Sequence, residues 1–229
     1  MGRPPTDLRH FEIYPAYHDR TDRSMKSKNI TWHGGEVSAA DRAALLGQRG
    51  CVVWLTGLSG SGKSTIARRL ESQLVGQGHL AYVLDGDNVR YGLNSDLGFS
   101  PDDREENIRR VSELSGLFAD AGIITIAAFI SPYRAGRQGA RRIVGGERFI
   151  EAYVDISLDE CEKRDPKGLY KQARAGEIAD FTGIDAPYEP PENPEVRITS
   201  AQATADDAAD KIMEYLAEKR FLPGGRSKT

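Results

Sequence analysis

The sequence predicts an α/β fold, a parallel β-sheet core flanked by helices on both faces, and three observations carry that expectation. Short apolar runs alternate with helical stretches along most of the chain. The first run, Val52-Val53-Trp54-Leu55, is apolar at every position, as a strand buried on both faces is. It flows into a glycine-rich turn, and the next stretch shows one apolar helical face through Ile66, Ala67, Leu70 and Leu74. At 229 residues and 39% hydrophobic content the chain can bury one full core, so one compact domain is expected.

Residues 1–28 are rich in Arg, Asp, Pro and Tyr without an apolar period and read as a flexible extension. A short extended piece, Asn29 to His33, and a helix opened by Ser38 follow. Strands are expected near 52–56, 81–84, 123–129, 150–155 and 195–198, the third inside the apolar stretch Gly122 to Ile130. Helices are expected near 63–76, 102–121, 134–144, 158–164, 168–174 and 204–219. The second of these has favourable start chemistry: Ser100 at the cap, Pro101 in the first turn, then Asp102 and Asp103. The expected organisation is an extension over 1–28, one domain over 29–222 and a disordered tail over 223–229. Such alternation places ligands at the carboxyl ends of the strands.

Composition excludes several function classes. The net charge of -3 carries no overall cationic bias toward nucleic acid or anionic membranes, so a polyanion must be gripped locally. No apolar stretch approaches the ~18 residues that span a bilayer, and the N-terminus lacks an apolar signal core; a cytoplasmic protein is expected. Two cysteines, Cys51 and Cys161, are too few for a disulfide scaffold and read as packing residues, with Lys163 and Arg164 near Cys161 leaving a reactive thiol as the alternative. His10, His18, His33 and His79 are scattered without ligand spacing, so the one metal expected is Mg²⁺ arriving with nucleotide.

The turn after the first strand is Gly57, four spacers, then Gly62-Lys63-Ser64. Gly57, Gly60 and Gly62 let the backbone curl into a ring of inward N–H groups, and the following helix adds its dipole. This is a phosphate-binding loop: Lys63 would reach the β- and γ-phosphates, and the Ser64 hydroxyl would ligate the magnesium that bridges them. At the end of the second strand Asp85-Gly86-Asp87-Asn88 puts two carboxylates at the same edge. They suit a base for an attacking hydroxyl and an acid for the magnesium shell, or else an ordinary turn or helix cap. Arg90, Phe99, Arg104 and Asn107 suit an anionic, base-bearing second substrate, or a solvated helix face. Ser131, at the end of the third strand, can contact substrate or cap the next element. The basic segment 161–174 reads as a lid over phosphates or as a surface helix.

Read together, GLSGSGKST (57–65), DGDNVRYGLN (85–94), LGFSPDDREENIRR (97–110), FISPY (129–133) and KGLYKQARAGEIADFTGID (167–185) resemble the adenylylsulfate kinase family over about Asn29 to Phe221. The resemblance implies a P-loop kinase fold and transfer of the γ-phosphoryl of MgATP to the 3'-hydroxyl of adenosine 5'-phosphosulfate, giving 3'-phosphoadenylyl sulfate and ADP in sulfate assimilation. It implies that Gly57, Gly60, Ser61, Gly62, Lys63, Ser64 and Thr65 hold ATP and magnesium, with Arg164 and Lys167 facing the phosphates. Asp87 resembles the family's base, and Asp85 would sit with Ser64 near the metal. The adenylylsulfate pocket would comprise Asp85, Gly86, Asp87, Asn88, Arg90, Phe99, Arg104, Asn107, Ile130 and Ser131, with Lys171, Phe181 and Thr182 from the lid side. Phe99 and Phe181 would sandwich the adenine. Lys63, Asp87 and Ser131 are the expected catalytic residues. Family members are described as carrying a phosphorylated serine at the position of Ser131, but direct in-line transfer needs no such relay and a neutral serine is a weak nucleophile.

Two departures stand out: Pro166 stiffens a lid hinge, and the stretch near Ser200 to Thr204 is too plain to assign to the ATP adenine. The length leaves no room for a fused ATP sulfurylase, so a stand-alone kinase is expected, with a separate sulfurylase as a possible partner and a homodimer as the family's common state. Two alternatives stay open on the residues alone. One is a kinase for another small hydroxyl acceptor, such as a sugar acid or nucleoside; the other is a nucleotide-sensing module acting through its N-terminal arm.

Overall fold

The computed structural model describes residues 35–199 and 204–222, together with Asn29 and His33. The expected extension, most of the Asn29 to His33 piece, most of the plain stretch before Thr204 and the tail lie outside the described residues. Five strands, β1 (Cys51–Thr56), β2 (Ala81–Asp85), β3 (Ile124–Ala128), β4 (Phe149–Val154) and β5 (Val196–Ile198), form one sheet. Its order is β2-β3-β1-β4-β5 and every pairing is parallel. Eight α-helices accompany them among the described residues: α1 (Ala39–Leu46), α2 (Lys63–Gly76), α3 (Gly86–Tyr91), α4 (Pro101–Asp120), α5 (Arg134–Val144), α6 (Leu158–Arg164), α7 (Leu169–Arg174) and α8 (Ala205–Glu218).

The continuous apolar run of β1 is explained by its central place. Val53 pairs with Ile126 of β3 on one side and Ile150 of β4 on the other. Side chains alternate between two cores, because successive Cβ atoms of a strand point to opposite faces. Cys51, Val53 and Leu55 pack with Ile66, Leu70 and Leu74 of α2 and Ile212 and Leu216 of α8. Val52 and Trp54 pack with Val111 and Ala119 of α4 and Ala140 and Val144 of α5. Trp54 is fully buried between Phe129 and Phe149, with ring centroids at 5.8 and 5.6 Å. Each fully buried large apolar side chain contributes ~1.5–3 kcal/mol relative to exposure.

The expected strands and helices all form, with ends shifted by a residue or so. Two elements were not anticipated, α3 and a single 3-10 turn at Gly146–Arg148. The Asp85-Gly86-Asp87-Asn88 stretch, read as substrate chemistry or as a turn or cap, is the cap and first turn of α3: the Asp85 carboxylate accepts from the Asp87 amide at 3.0 Å. From β1 the chain crosses to β2 at one edge, whereas from β3 it crosses to β4 on the other side of β1. That reversal opens a crevice at the carboxyl ends of β1 and β3, where both loops of interest lie.

Candidate active site

The loop after β1 has the conformation its glycines allow. Gly57, Gly60 and Gly62 lie at φ 152°, 73° and 102°, which side-chain-bearing residues rarely adopt. Space matters too: a Cβ on Gly57 would sit 2.6 Å from the Val154 carbonyl oxygen, and one on Gly60 would sit 3.0 Å from that of Cys161. No side chain caps α2 at Gly62, and while the Thr65 amide turns back to the Gly62 carbonyl at 3.0 Å, the helix start at Lys63 and Ser64 suits an anion. The Lys63 ammonium donates to the carbonyls of Gly57 at 2.9 Å and Leu58 at 2.7 Å. With only 8% of the residue exposed, burial pulls its pKa down to about 8, and the nearby Asp85 and Asp87 carboxylates offset part of that shift. Ser61 is buried, Ser64 is half-buried and Thr65 is exposed at the start of α2.

Beside the loop lies a cavity of about 180 Å³ lined by Ser61, Gly62, Thr65, Arg164, Ile156, Ile198 and Thr204. Ile156 and Ile198 escaped the sequence reading, because nothing separates such positions from ordinary strand-end residues, and Thr204 ends the stretch that was too plain to assign. Arg164 also pairs with Glu160 at 3.2 Å, one turn away on α6.

On the acceptor side, the Asp87 carboxylate is ion-paired with Lys167, both side chains being mostly exposed. Lys167 was expected to face phosphates; here it reaches the expected base. Asn88 is exposed beside it, and Gly86 lies against the Phe129 ring with room for an ordinary contact, a Cβ there falling 3.4 Å away. Arg90 donates to the carbonyls of Gly98 at 2.7 Å and Leu97 at 3.2 Å, and its guanidinium lies 4.5 Å over the Phe99 ring. Arg104 donates to the carbonyl of Phe99 at 2.9 Å, to the Thr182 hydroxyl at 3.1 Å and to the carbonyl of Asp180 at 2.6 Å. One side chain thus ties the Phe99 and Phe181–Thr182 segments together. Phe99 is 69% exposed, while Phe181 is buried edge-on against Tyr170 at 5.0 Å. Buried Asn107 accepts from the Asn94 amide at 2.9 Å, so it also pins the turn after α3.

The lid spans α6 and α7. Asp165, at φ 20°, accepts from the amides of Tyr170 and Lys171 at 3.1 Å each, which caps α7 across Pro166. The Tyr170 hydroxyl donates to the Ser59 carbonyl at 2.9 Å, fastening the lid to the phosphate loop. Neither residue was singled out from sequence; an Asp three residues before a glycine was the available signal for Asp165. Lys171 is exposed. Cys161 is buried behind Gly60, and burial pushes its thiol up, so it packs rather than reacts.

Ser131 is only 4% exposed. Its hydroxyl accepts from the Trp54 indole at 3.0 Å and donates to the Phe129 carbonyl at 3.4 Å, while Ile130 is half-buried beside it. The arrangement sets a phosphate loop and a carboxylate pair beside an aromatic ring, Phe99, held by Arg90 and Arg104.

A protein-family model described as "Adenylylsulphate kinase" matches residues 49–199. The chain is 55% identical over 199 residues to the "Adenylyl-sulfate kinase" of Clostridium acetobutylicum, spanning 87% of this chain and 99% of that one. Among solved structures, the Mycobacterium tuberculosis APS kinase CysC in complex with AMPPNP and APS shares 50% identity at a TM-score of 0.72, over 74% of this chain and 99% of that chain. The hexameric APS kinase from Thiobacillus denitrificans shares 32% identity at a TM-score of 0.59, covering 76% of this chain and 30% of that longer one.

Proposed function

The chain belongs to the adenylylsulphate kinase family, and on that premise we propose how its residues divide the reaction. The enzyme is an ATP-dependent phosphotransferase that moves the γ-phosphoryl of ATP to the 3'-hydroxyl of adenosine 5'-phosphosulfate, giving 3'-phosphoadenylyl sulfate and ADP. The phosphate-loop amides and Lys63 hold the β- and γ-phosphates and take up charge as the transfer proceeds. Arg164 and Lys167 stand at the same edge from the lid.

The donors at this edge are hard oxygens, Ser64 at the start of α2 and Asp85 at the end of β2, which fit magnesium. Among the described residues no group of three or more His, Cys, Asp or Glu can hold a metal, so such an ion would depend on the nucleotide for most of its ligands. When bound, it would neutralise negative charge on the phosphates.

Asp87 accepts the proton of the 3'-hydroxyl as that oxygen bonds to the γ-phosphorus, and the bond from phosphorus to the β-bridging oxygen breaks, its electron pair leaving on ADP. The acceptor rests between Arg90 and Phe99 on one side and Phe181, Thr182 and Lys171 on the other, with Arg104 and Asn107 framing it. Ile130 and Ser131 contact it along the backbone. The observation that carries this division is the ion pair between Asp87 and Lys167, which links the carboxylate pair to the lid over the donor loop. Asp87→Asn tests it: turnover should fall ~10²–10⁴-fold with the KM for ATP unchanged. Turnover within a few-fold of wild type would exclude Asp87 as the base.

We place the enzyme in the cytoplasm as a homodimer, with a kinase domain over 29–222 and a separate ATP sulfurylase as a candidate partner. Among the described residues no helix is long and apolar enough to cross a membrane. Sedimentation at micromolar concentration tests the dimer.

A further inference from the structure

The backbone at Ser131 is strained, and the groups that hold it have no part in the roles above. Ser131 lies at φ 41°, a region that costs a residue with a Cβ ~1–3 kcal/mol unless its surroundings impose it. Its carbonyl accepts from Arg137 at 2.7 Å, and the preceding Ile130 carbonyl accepts from the Thr56 hydroxyl at 2.7 Å. A threonine hydroxyl has a single proton, so the Tyr188 hydroxyl, 2.9 Å from the same Thr56 oxygen, is the donor in that contact. Burial pushes the Tyr188 phenol up to about 12, which keeps that proton in place.

Arg137 is only 3% exposed, and every edge of its guanidinium is occupied. Nε donates to Glu151 of β4 at 2.6 Å, Nη1 to the Ser131 carbonyl, and Nη2 to the Glu189 carbonyl at 2.7 Å. The Glu189 amide returns a bond to the Pro132 carbonyl at 2.8 Å. Tyr188 stacks on Tyr153 with ring centroids 6.0 Å apart. One end of the network is thus anchored on the sheet, and the other grips the 130–132 loop and the 188–189 segment.

We propose that Arg137 and Tyr188 are positioning residues that hold the Ile130–Ser131 loop, on the acceptor side, against Thr56 at the root of the phosphate loop, on the donor side. The inference rests on the reading of that loop as an adenylylsulfate contact. Thr56 directly precedes Gly57, so its bond to Ile130 sets the spacing between the two substrates. A misplacement of ~1 Å between reacting groups can cost ~10²-fold in rate. The phosphate loop keeps its own internal bonds, Ser61 amide to Leu58 carbonyl at 3.2 Å and those of Lys63, so ATP binding survives a shift of its neighbour.

The test titrates ATP and adenylylsulfate separately for wild type, Tyr188→Phe and Arg137→Lys, with ATP affinity measured by calorimetry and folding by thermal midpoint. Tyr188→Phe removes one hydroxyl and keeps the ring stack. It should lower kcat/KM for adenylylsulfate ~10-fold while leaving ATP affinity within about twofold. Arg137→Lys cannot reproduce the three-way fork and should lose more on the same side only. If the lysine variant fails to fold, Tyr188→Phe decides alone. Equal losses toward both substrates that track a lowered midpoint, or an unchanged kcat/KM for adenylylsulfate, would overturn the inference. A wild type inactive on adenylylsulfate would instead overturn the functional assignment, and the acceptor half of this inference with it.

Discussion

Lys63 shows how a single residue couples burial to ligand chemistry. Its folded pKa of about 8 lies below the ordinary 10.5, because desolvation disfavours the ammonium. The unfolded chain therefore binds more protons between those values, and the stability of the ligand-free protein should rise with pH across that window. ATP has the opposite demand, since its phosphates favour the charged lysine. Binding above pH 8 should take up a proton, and ATP affinity should fall as pH rises through about 8. Calorimetry in two buffers of different ionisation enthalpy reads this directly; absence of proton uptake at pH 9, or its persistence in Lys63→Met, would refute it. Ser131 yields a second expectation at this scale. Its hydroxyl is engaged by Trp54 and the Phe129 carbonyl, so the wild type should trap no phosphoserine there and Ser131→Ala should stay within ~10-fold of wild-type turnover. The orphaned indole should cost ~1–3 kcal/mol of stability.

At the scale of elements, one hydroxyl fastens the lid to the phosphate loop, beside the ion pair of Lys167 with Asp87. Tyr170 packs on Phe181 and donates to Ser59, so the ring places α7 and the hydroxyl fastens it to the phosphate loop. Tyr170→Phe should keep the fold and raise the KM for ATP ~2–10-fold, the effect of one lost hydrogen bond; an unchanged KM would show the fastening to be dispensable. The sequence was legible where one residue type had one physical meaning. The run from Val52 to Leu55 read as a doubly buried strand, and Ser100-Pro101 read as a helix start, with the Ser100 hydroxyl accepting from the Asp103 amide at 3.2 Å. It was less legible where a residue does two things. Asp85 both caps α3 and stands at the site, and Arg104 both frames a pocket and staples two segments. Tyr188 and Arg137 left no signal at all, because their meaning lies in contacts across 132 and 52 residues of chain that no local pattern records.

Across the whole molecule, the sheet order explains why so few segments carry the chemistry. Placing β1 at the centre sends the donor loop and the Ile130–Ser131 loop to the same crevice, while α2 with α8 and α4 with α5 supply two separate cores that hold the edge rigid. The phosphate loop alone specifies a nucleotide; what selects the acceptor is the frame of Arg90, Phe99, Arg104 and the lid around it. With a net charge of -3, the affinity for a doubly anionic acceptor must come from that local frame rather than from the overall field. The most direct test is to incubate the purified protein with MgATP carrying heavy oxygen in its γ-phosphoryl group and a panel of adenylylsulfate, gluconate and nucleosides, and to locate the transferred phosphoryl group by the isotope shift in phosphorus NMR. The account predicts one product, labelled at the 3'-oxygen of adenylylsulfate, in equal yield with ADP. Label on another acceptor, or ADP released without a 3'-phosphorylated product, would contradict it.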